Sequence, residues 1–243
     1  MSTPELGHRW RPHLMLAGVG PLTNPLGVGL LWVGAYLLGG VPVGWLIGRA
    51  AGVDLRRVGT GKIGTSNLFH EVGLLPAAFV GPLQFAQGLA PVLAAELLHG
   101  SSLVAAGAGL LAVIGNGWPF YFRYNGGRGV ATATGAIALW SFVGLGFVLC
   151  LLGGGQLLRR SGLGVLLAYL FLPLALALAA APRAYAVTAI GVVICLLLRR
   201  FEGYHFGRPI EGAPPDDWRR RLLDDWRPGP AAIPPGERLN SKP

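Results

Sequence analysis

The stretch that decides the fold is VATATGAIALWSFVGLGFVLCLLGGGQLL, residues 130–158, an apolar run of 29 residues without a charged side chain. As one helix it would be about 44 Å long, too much for a single crossing of a roughly 30 Å hydrocarbon layer and too little for two upright ones. The flanks decide between the two. Arg123 and Arg128 precede the run and Arg159 and Arg160 follow it, and short loops rich in Lys and Arg stay on the cytoplasmic side. Both ends must then lie on one face. The run therefore crosses twice, as two short or tilted helices parted near residues 141–146.

Further apolar runs cover residues 26–47, 74–98, 102–122, 163–181 and 184–198. With the doubled run they predict an all-α integral membrane protein of about seven membrane helices, two of them short and within 130–158. The loop after the first span carries Arg49, Arg56, Arg57 and Lys62, whereas residues 99–101 contain no Lys or Arg. The N-terminus is thus placed outside and the C-terminus in the cytoplasm. This arrangement leaves 17 of the 20 Lys and Arg residues cytoplasmic, all but Arg9, Arg11 and Arg183. No small-residue cleavage site follows the first run, so it reads as a retained span rather than a signal peptide. Three regions result: an N-terminal tail over 1–26, a membrane domain over 27–200 and a polar, Pro-rich cytoplasmic tail over 201–243. Within that tail DDWRRRLLDDWR, residues 216–227, places Trp218, Leu222, Leu223 and Trp226 on one helical face, as either an interfacial helix or a solvated one.

Composition agrees. Of 243 residues 52% are hydrophobic and 13% charged, against about 25% charged in a soluble domain. The net charge of +9 is explained by membrane topology, since the basic residues lie between or beyond the apolar runs, and nucleic acid is not an expected partner. Cys150 and Cys195 both sit inside apolar runs, which excludes a disulfide framework. The histidines at 8, 13, 70, 99 and 205 form no metal-ligand cluster and no Ser/His/Asp triad is visible, so neither a metal nor a cofactor is expected.

Chemistry is left to two glycine-rich cytoplasmic loops. The first, GVDLRRVGTGKIGTSN (52–67), offers Gly59, Gly61 and Gly64, the cations Arg56, Arg57 and Lys62, and the hydrogen-bonding side chains of Thr60, Thr65, Ser66 and Asn67. Glycines let backbone N–H groups converge on an anion while Arg and Lys neutralise it. The Gly59-x-Gly61-x-x-Gly64 spacing matches a dinucleotide fingerprint, but no strand precedes it; Gly61-Lys62 lacks the remaining features of a P-loop. The second, GNGWPFYFRYNGGRGVAT (115–132), presents Asn116, Asn125 and a Gly126-Gly127-Arg128-Gly129 turn just before an apolar run whose N-terminus favours an anion. Taken alone, such a loop could simply reverse the chain behind an aromatic belt of Trp118, Tyr121 and Tyr124; two on one face favour a phosphate site.

In matching order, GGVPVGWLIGR (39–49), VDLRRVGTGKIGTSN (53–67), GNGWPFYFRYNGGRGVAT (115–132) and LRRFEG (198–203) resemble the bacterial acyl-phosphate:glycerol-3-phosphate acyltransferase (PlsY-type) family. The resemblance implies seven membrane segments in the bacterial cell membrane. It implies a phospholipid-synthesis reaction in which the 1-hydroxyl of glycerol 3-phosphate attacks a fatty acyl phosphate, giving lysophosphatidic acid and phosphate, with a substrate phosphate oxygen taking the proton. The implied partners are those two substrates and membrane lipids; oligomeric state stays open, a monomer included. Carried over by position, Arg56, Thr60 and Arg128 are the catalytic candidates, Thr60 replacing a serine and Arg128 a lysine. Gly59, Gly61, Lys62, Gly64, Ser66, Asn67, Asn116, Asn125, Gly126, Gly127 and Gly129 are the phosphate-binding candidates. The chain departs from the family pattern at Gly40 for serine, Lys62 for asparagine, Asn116 for histidine and Asn125 for lysine. It also has Gln84 and Gln87 for an aspartate and a lysine, and Arg200 and Gly203 for a histidine and an asparagine. Gln84 and Gln87 are expected to hydrogen-bond between helices. The rival reading is a divergent non-catalytic paralogue that binds lipid phosphates, or a small transporter-like protein.

Overall fold

A computed structural model describes residues 24–202, apart from Thr60 and Arg159. The tail helix expected over 216–227 lies outside the described residues, as does the region before Asn24. Every regular element described is helical: α1 (Pro25–Gly40), α2 (Val43–Ala50), α3 (Thr65–Glu71), α4 (Leu74–Leu97), α5 (Ser102–Gly117), a 3₁₀ turn (Phe120–Phe122), α6 (Val130–Trp140), α7 (Phe142–Leu157), α8 (Ser161–Leu170), α9 (Leu172–Leu178) and α10 (Arg183–Phe201).

Local chemistry sets the boundaries. Asn24 caps α1, its side-chain oxygen accepting from Leu26 N at 2.8 Å, and Pro25 fills the first turn where its missing N–H costs nothing. Pro42 ends that helix and starts α2. Ser101 caps α5 and Ser141 caps α7 in the same way. Ser141 also terminates α6, so the long apolar run does break at the near end of its expected window. Among the described residues four helical stretches are long and apolar enough to cross a membrane: Pro25–Ala50, Leu74–Leu97, Ser102–Phe122 and Arg183–Phe201. Ser161–Leu170 and Leu172–Leu178 qualify as a pair, bent by 45°, where Pro173 removes a donor and constrains Leu172. Val130–Trp140 and Phe142–Leu157 are apolar but shorter.

The outward faces suit acyl chains rather than water. Leu74, Leu75, Phe142, Leu157 and Leu178 are each more than 70% exposed, a surface that lipid solvates and water would not. With lipid outside, helices gain little from hydrophobic burial and associate by close packing of small residues. At the α1–α5 crossing, a Cβ on Gly39 would strike the Ala112 backbone and one on Gly115 the Tyr36 carbonyl. At the α4–α6 crossing Gly88 meets Thr132 and Gly135 meets Phe85 in the same way, and Gly155 of α7 rests on Gly164 of α8. The α4–α6 contacts fix the start of α6 beside α4, on which α3 also packs through the Thr65–Gln84 hydrogen bond.

Candidate functional site

The first glycine-rich loop is folded around two side chains. Asn67, buried at the start of α3, donates its amide to the carbonyls of Leu55, Val58 and Lys62 at 3.2, 3.2 and 3.0 Å. Gly59 turns the chain with φ +53°, and a side chain there would collide with the Asn67 amide oxygen and the Glu71 carboxylate. Gly61 follows in the same left-handed region at φ +67°. Val53, Leu55, Ile63, Leu68 and Val80 form the small core beneath. Asn67 is therefore the organiser of the loop, whereas Ser66 stands exposed and Lys62 is buried. Thr60 lies outside the described residues.

Asp54 is the second organiser, and the sequence reading passed it over. Its Oδ1 accepts from Trp45 Nε1 at 3.2 Å, Arg56 N at 3.2 Å and Arg56 Nε at 2.9 Å, and its Oδ2 accepts from Arg56 Nη2 at 2.6 Å. Burial alone would raise the Asp54 carboxyl, but the Arg56 side-chain and backbone N–H groups hold it below its ordinary value; the same pairing raises Arg56. The Arg56 guanidinium also lies 5.4 Å from the ring centres of both Trp45 and Phe122, which meet edge to face at 5.2 Å. Clamped along one edge and set against two rings, the Arg56 guanidinium is fixed in place with 37% of the side chain exposed. Phe122 belongs to the second loop, so Arg56 spans both.

That second loop doubles back on the end of α5. Gly127 N donates to Asn116 O at 2.9 Å and Gly126 N to Gly117 O at 3.1 Å. A Cβ on Gly126 would strike the Asn116 and Gly117 backbone, and one on Gly127 would sit 2.8 Å from Asn116 Oδ1. Gly129, at φ +78°, swings the chain into α6. Asn116 and Asn125 are buried and Arg128 is half-buried; Asn116 Nδ2 makes a long contact of 3.4 Å to Gly39 O. Tyr36 OH donates to Trp118 O at 2.7 Å and accepts from Phe120 N at 3.1 Å, while Tyr121 OH donates to Leu37 O at 3.0 Å, which tethers the loop to α1.

The two loops meet. Gly64, which begins α3, faces the backbone N of Arg128, its Cβ position 4.0 Å away. Thr65 Oγ1 donates to Gln84 Oε1 at 2.9 Å, and Gln84 Nε2 lies 3.9 Å from the Cβ position of Gly127. Gln84 thus bonds the start of α3 from α4 and lies beside the second loop. Gln87 Nε2 donates to Leu38 O and Val41 O at 2.8 and 2.9 Å, a second donor for carbonyls that already accept from Val41 N and Val43 N where α1 breaks. Both glutamines make the expected interhelical bonds. Arg199, which the sequence shows only as part of LRRFEG at the end of the last apolar run, is 2% exposed and donates to Gly127 O at 3.1 Å and Gly126 O at 2.7 Å. Its charge pairs with Glu202. The result is a junction of Arg56, Arg128 and two glycine turns beside the N-terminus of α6, an arrangement that suits phosphate groups. Among the described residues no three His, Cys, Asp or Glu side chains come together as metal ligands.

Comparison with known proteins bears on this geometry. The profile of the family described as Glycerol-3-phosphate acyltransferase matches residues 29–203. A Rubrobacter xylanophilus protein of the same description is 48% identical over 118 residues, 48% of this chain and 59% of its own. One from Roseobacter denitrificans is 37% identical over 171 residues, 69% of this chain and 81% of its own. The chain thus spans about three fifths of the first relative and four fifths of the second. The crystal structure of PlsY, an integral membrane glycerol 3-phosphate acyltransferase, in its glycerol 3-phosphate form superposes with a TM-score of 0.68 at 32% identity, over 71% of this chain and 88% of that one. Its lysophosphatidic acid form gives 0.67 at 30% identity, over 72% and 88%. The chain belongs to the glycerol-3-phosphate acyltransferase family.

Proposed function

We propose that this chain transfers a fatty acyl group from acyl phosphate to the 1-hydroxyl of glycerol 3-phosphate, releasing phosphate and leaving lysophosphatidic acid. The observation that carries the reading is the junction itself: Gly64 against Arg128, with Arg56 of the first loop stacked on Phe122 of the second. Two anionic substrates need two cationic cradles at one place, and phosphate is a good leaving group, so alignment and charge stabilisation supply most of the acceleration. The acceptor oxygen bonds to the acyl carbon as the carbon–oxygen bond to phosphate breaks, and the hydroxyl proton passes to a substrate phosphate oxygen. Asp54 and Glu202 are each engaged by an arginine, which suits this proton path better than a carboxylate base would.

Arg56 and Arg128 are the catalytic candidates with Thr60. Lys62, Asn116, Asn125 and the glycines at 59, 61, 64, 126, 127 and 129 are the phosphate-binding candidates around them. Ser66 and Asn67 contribute to the first loop, the latter by holding its backbone. In the membrane we place seven segments, counting Val130–Trp140 and Phe142–Leu157 as short crossings, with the N-terminus outside and the C-terminal tail in the cytoplasm of a bacterial cell. The non-catalytic and transporter-like alternatives are not favoured by membership of an acyltransferase family. Purified protein supplied with palmitoyl phosphate should release phosphate in a reaction that requires glycerol 3-phosphate. Release at the rate of a protein-free blank, or release indifferent to the acceptor, refutes the proposal.

A further inference from the structure

We infer that Arg199 is a positioning residue for this site: a buried guanidinium that fixes the second glycine turn and so aims Arg128 and the first turn of α6 at a substrate phosphate. The inference rests on the reading of that turn as part of a phosphate site. An arginine at the cytoplasmic end of a membrane helix ordinarily extends towards water and headgroups. Arg199 instead turns inward to 2% exposure. Its Nε and Nη2 donate to the consecutive carbonyls of Gly127 and Gly126 at 3.1 and 2.7 Å, and Nη1 donates to Glu202. The guanidinium lies 5.4 Å from the Trp118 ring centre, and Trp118 Nε1 donates to the other Glu202 oxygen at 2.7 Å. The side-chain stem packs 3.4 Å from the Cβ position of Gly117.

This set of contacts has an electrostatic consequence. Two consecutive carbonyls would turn partial negative charge towards an arriving phosphate if the glycines were free to rotate. Arg199 holds both oxygens, and the N–H groups of the same two glycines are held by Asn116 O and Gly117 O. With residues 126 and 127 tied at both poles, the adjoining Arg128 side chain and the first-turn N–H groups of α6, which lack partners within the helix, keep one orientation. Lysine cannot reproduce this, because a single ammonium does not reach two carbonyls and a carboxylate in the plane of an indole.

The test uses full-length purified protein carrying Arg199→Lys, and a second variant, Arg199→Gln with Glu202→Gln, that removes both charges together so that the partly exposed Glu202 carboxylate is not left without its ion-pair partner. Two readouts are needed. Hydrogen exchange at the amides of Gly126, Gly127 and Arg128 should quicken at least tenfold in both variants. In acyl transfer, kcat/KM for glycerol 3-phosphate should fall by about 100-fold in the Lys variant, the scale of a small misplacement at a reacting centre, and further in the double variant, while the melting temperature of the Lys variant stays within a few degrees. A purely structural role would lower the melting temperature and leave the constants of the folded fraction unchanged. Unchanged exchange, or wild-type kinetic constants in the Lys variant, overturns the inference while leaving the proposed reaction standing. If the unmodified protein shows no turnover, the proposed reaction falls, and exchange alone decides whether Arg199 governs the turn.

Discussion

Replacing Asp54 by Asn would separate the presence of Arg56 from its placement. The carboxylate binds Arg56 through two charge-assisted hydrogen bonds, 2.9 and 2.6 Å, and also holds the Arg56 backbone and the Trp45 indole. Hydrogen bonds to charged groups contribute about 1.5–3 kcal/mol, and because Arg56 is 37% exposed solvent screening puts the loss near the low end, about 1.5–2 kcal/mol. Asparagine can still accept from Trp45 and the backbone, so the loop should fold while the guanidinium swings off Phe122. Spent on orientation, that energy corresponds to a fall of roughly 10- to 30-fold in kcat/KM for acyl phosphate. The pH dependence has a definite sign. Asp54 is depressed below its ordinary value of 3.8, so the clamp acts fully above that pH and is lost only as pH falls through the depressed value. Measured by phosphate release between about pH 5 and 9, the deficit of Asp54→Asn should therefore be constant. Wild-type kcat/KM in the variant, or a deficit that vanishes towards pH 5, would refute the reasoning.

Three further outcomes are expected. Gly135→Ala should destabilise the detergent-solubilised protein by about 1–3 kcal/mol through overpacking against the Phe85 backbone; Gly146→Ala, with nothing within 4 Å of its Cβ position, should not, and equal melting curves for the two would contradict the close α4–α6 crossing. Gly40→Ser must displace Tyr121, whose hydroxyl lies 2.7 Å from the new Cβ, so it should lower the melting temperature, with Tyr121→Phe restoring part of the loss. Gln156→Cys, exposed at the end of α7, should resist impermeant thiol reagents in intact cells; labelling from outside would contradict the double crossing between 130 and 158.

Much of this architecture is legible in the sequence because a bilayer imposes few choices. The parity of crossings demanded a break in the long apolar run, and Ser141 supplies it as the end of one helix and the cap of the next. The bend at Phe171 is not legible in the sequence, since Pro173 lies in a run whose hydropathy alone reads as one straight span. The glycine loops were recognised by composition, yet composition does not say which polar groups face a ligand and which face the chain. Asn67 has the side chain of a phosphate donor but binds three carbonyls of its own loop. Asp54 does not stand out in the sequence, because a lone acid in a cationic, anion-binding loop reveals its role only through the Arg56 and Trp45 groups it holds. Arg199 is not evident from sequence because topology already explains two arginines closing an apolar run, and nothing local in LRRFEG shows that both are buried or that Arg199 reaches the second glycine turn.

Formation of lysophosphatidic acid from labelled glycerol 3-phosphate and palmitoyl phosphate, by the unmodified protein beside Arg56→Ala and Arg128→Ala, tests most directly whether the two loops make one catalytic site. The unmodified protein should turn over, and each variant should lose about 2–4 kcal/mol of transition-state stabilisation, roughly 30- to 1,000-fold in the rate of the folded fraction; Arg56→Ala should also lower the melting temperature, because it strips the buried Asp54 carboxylate of its ion-pair partner. Arg56→Lys should recover only part of the loss. Product formation by both alanine variants at the unmodified rate, or none by the unmodified protein, would contradict the account.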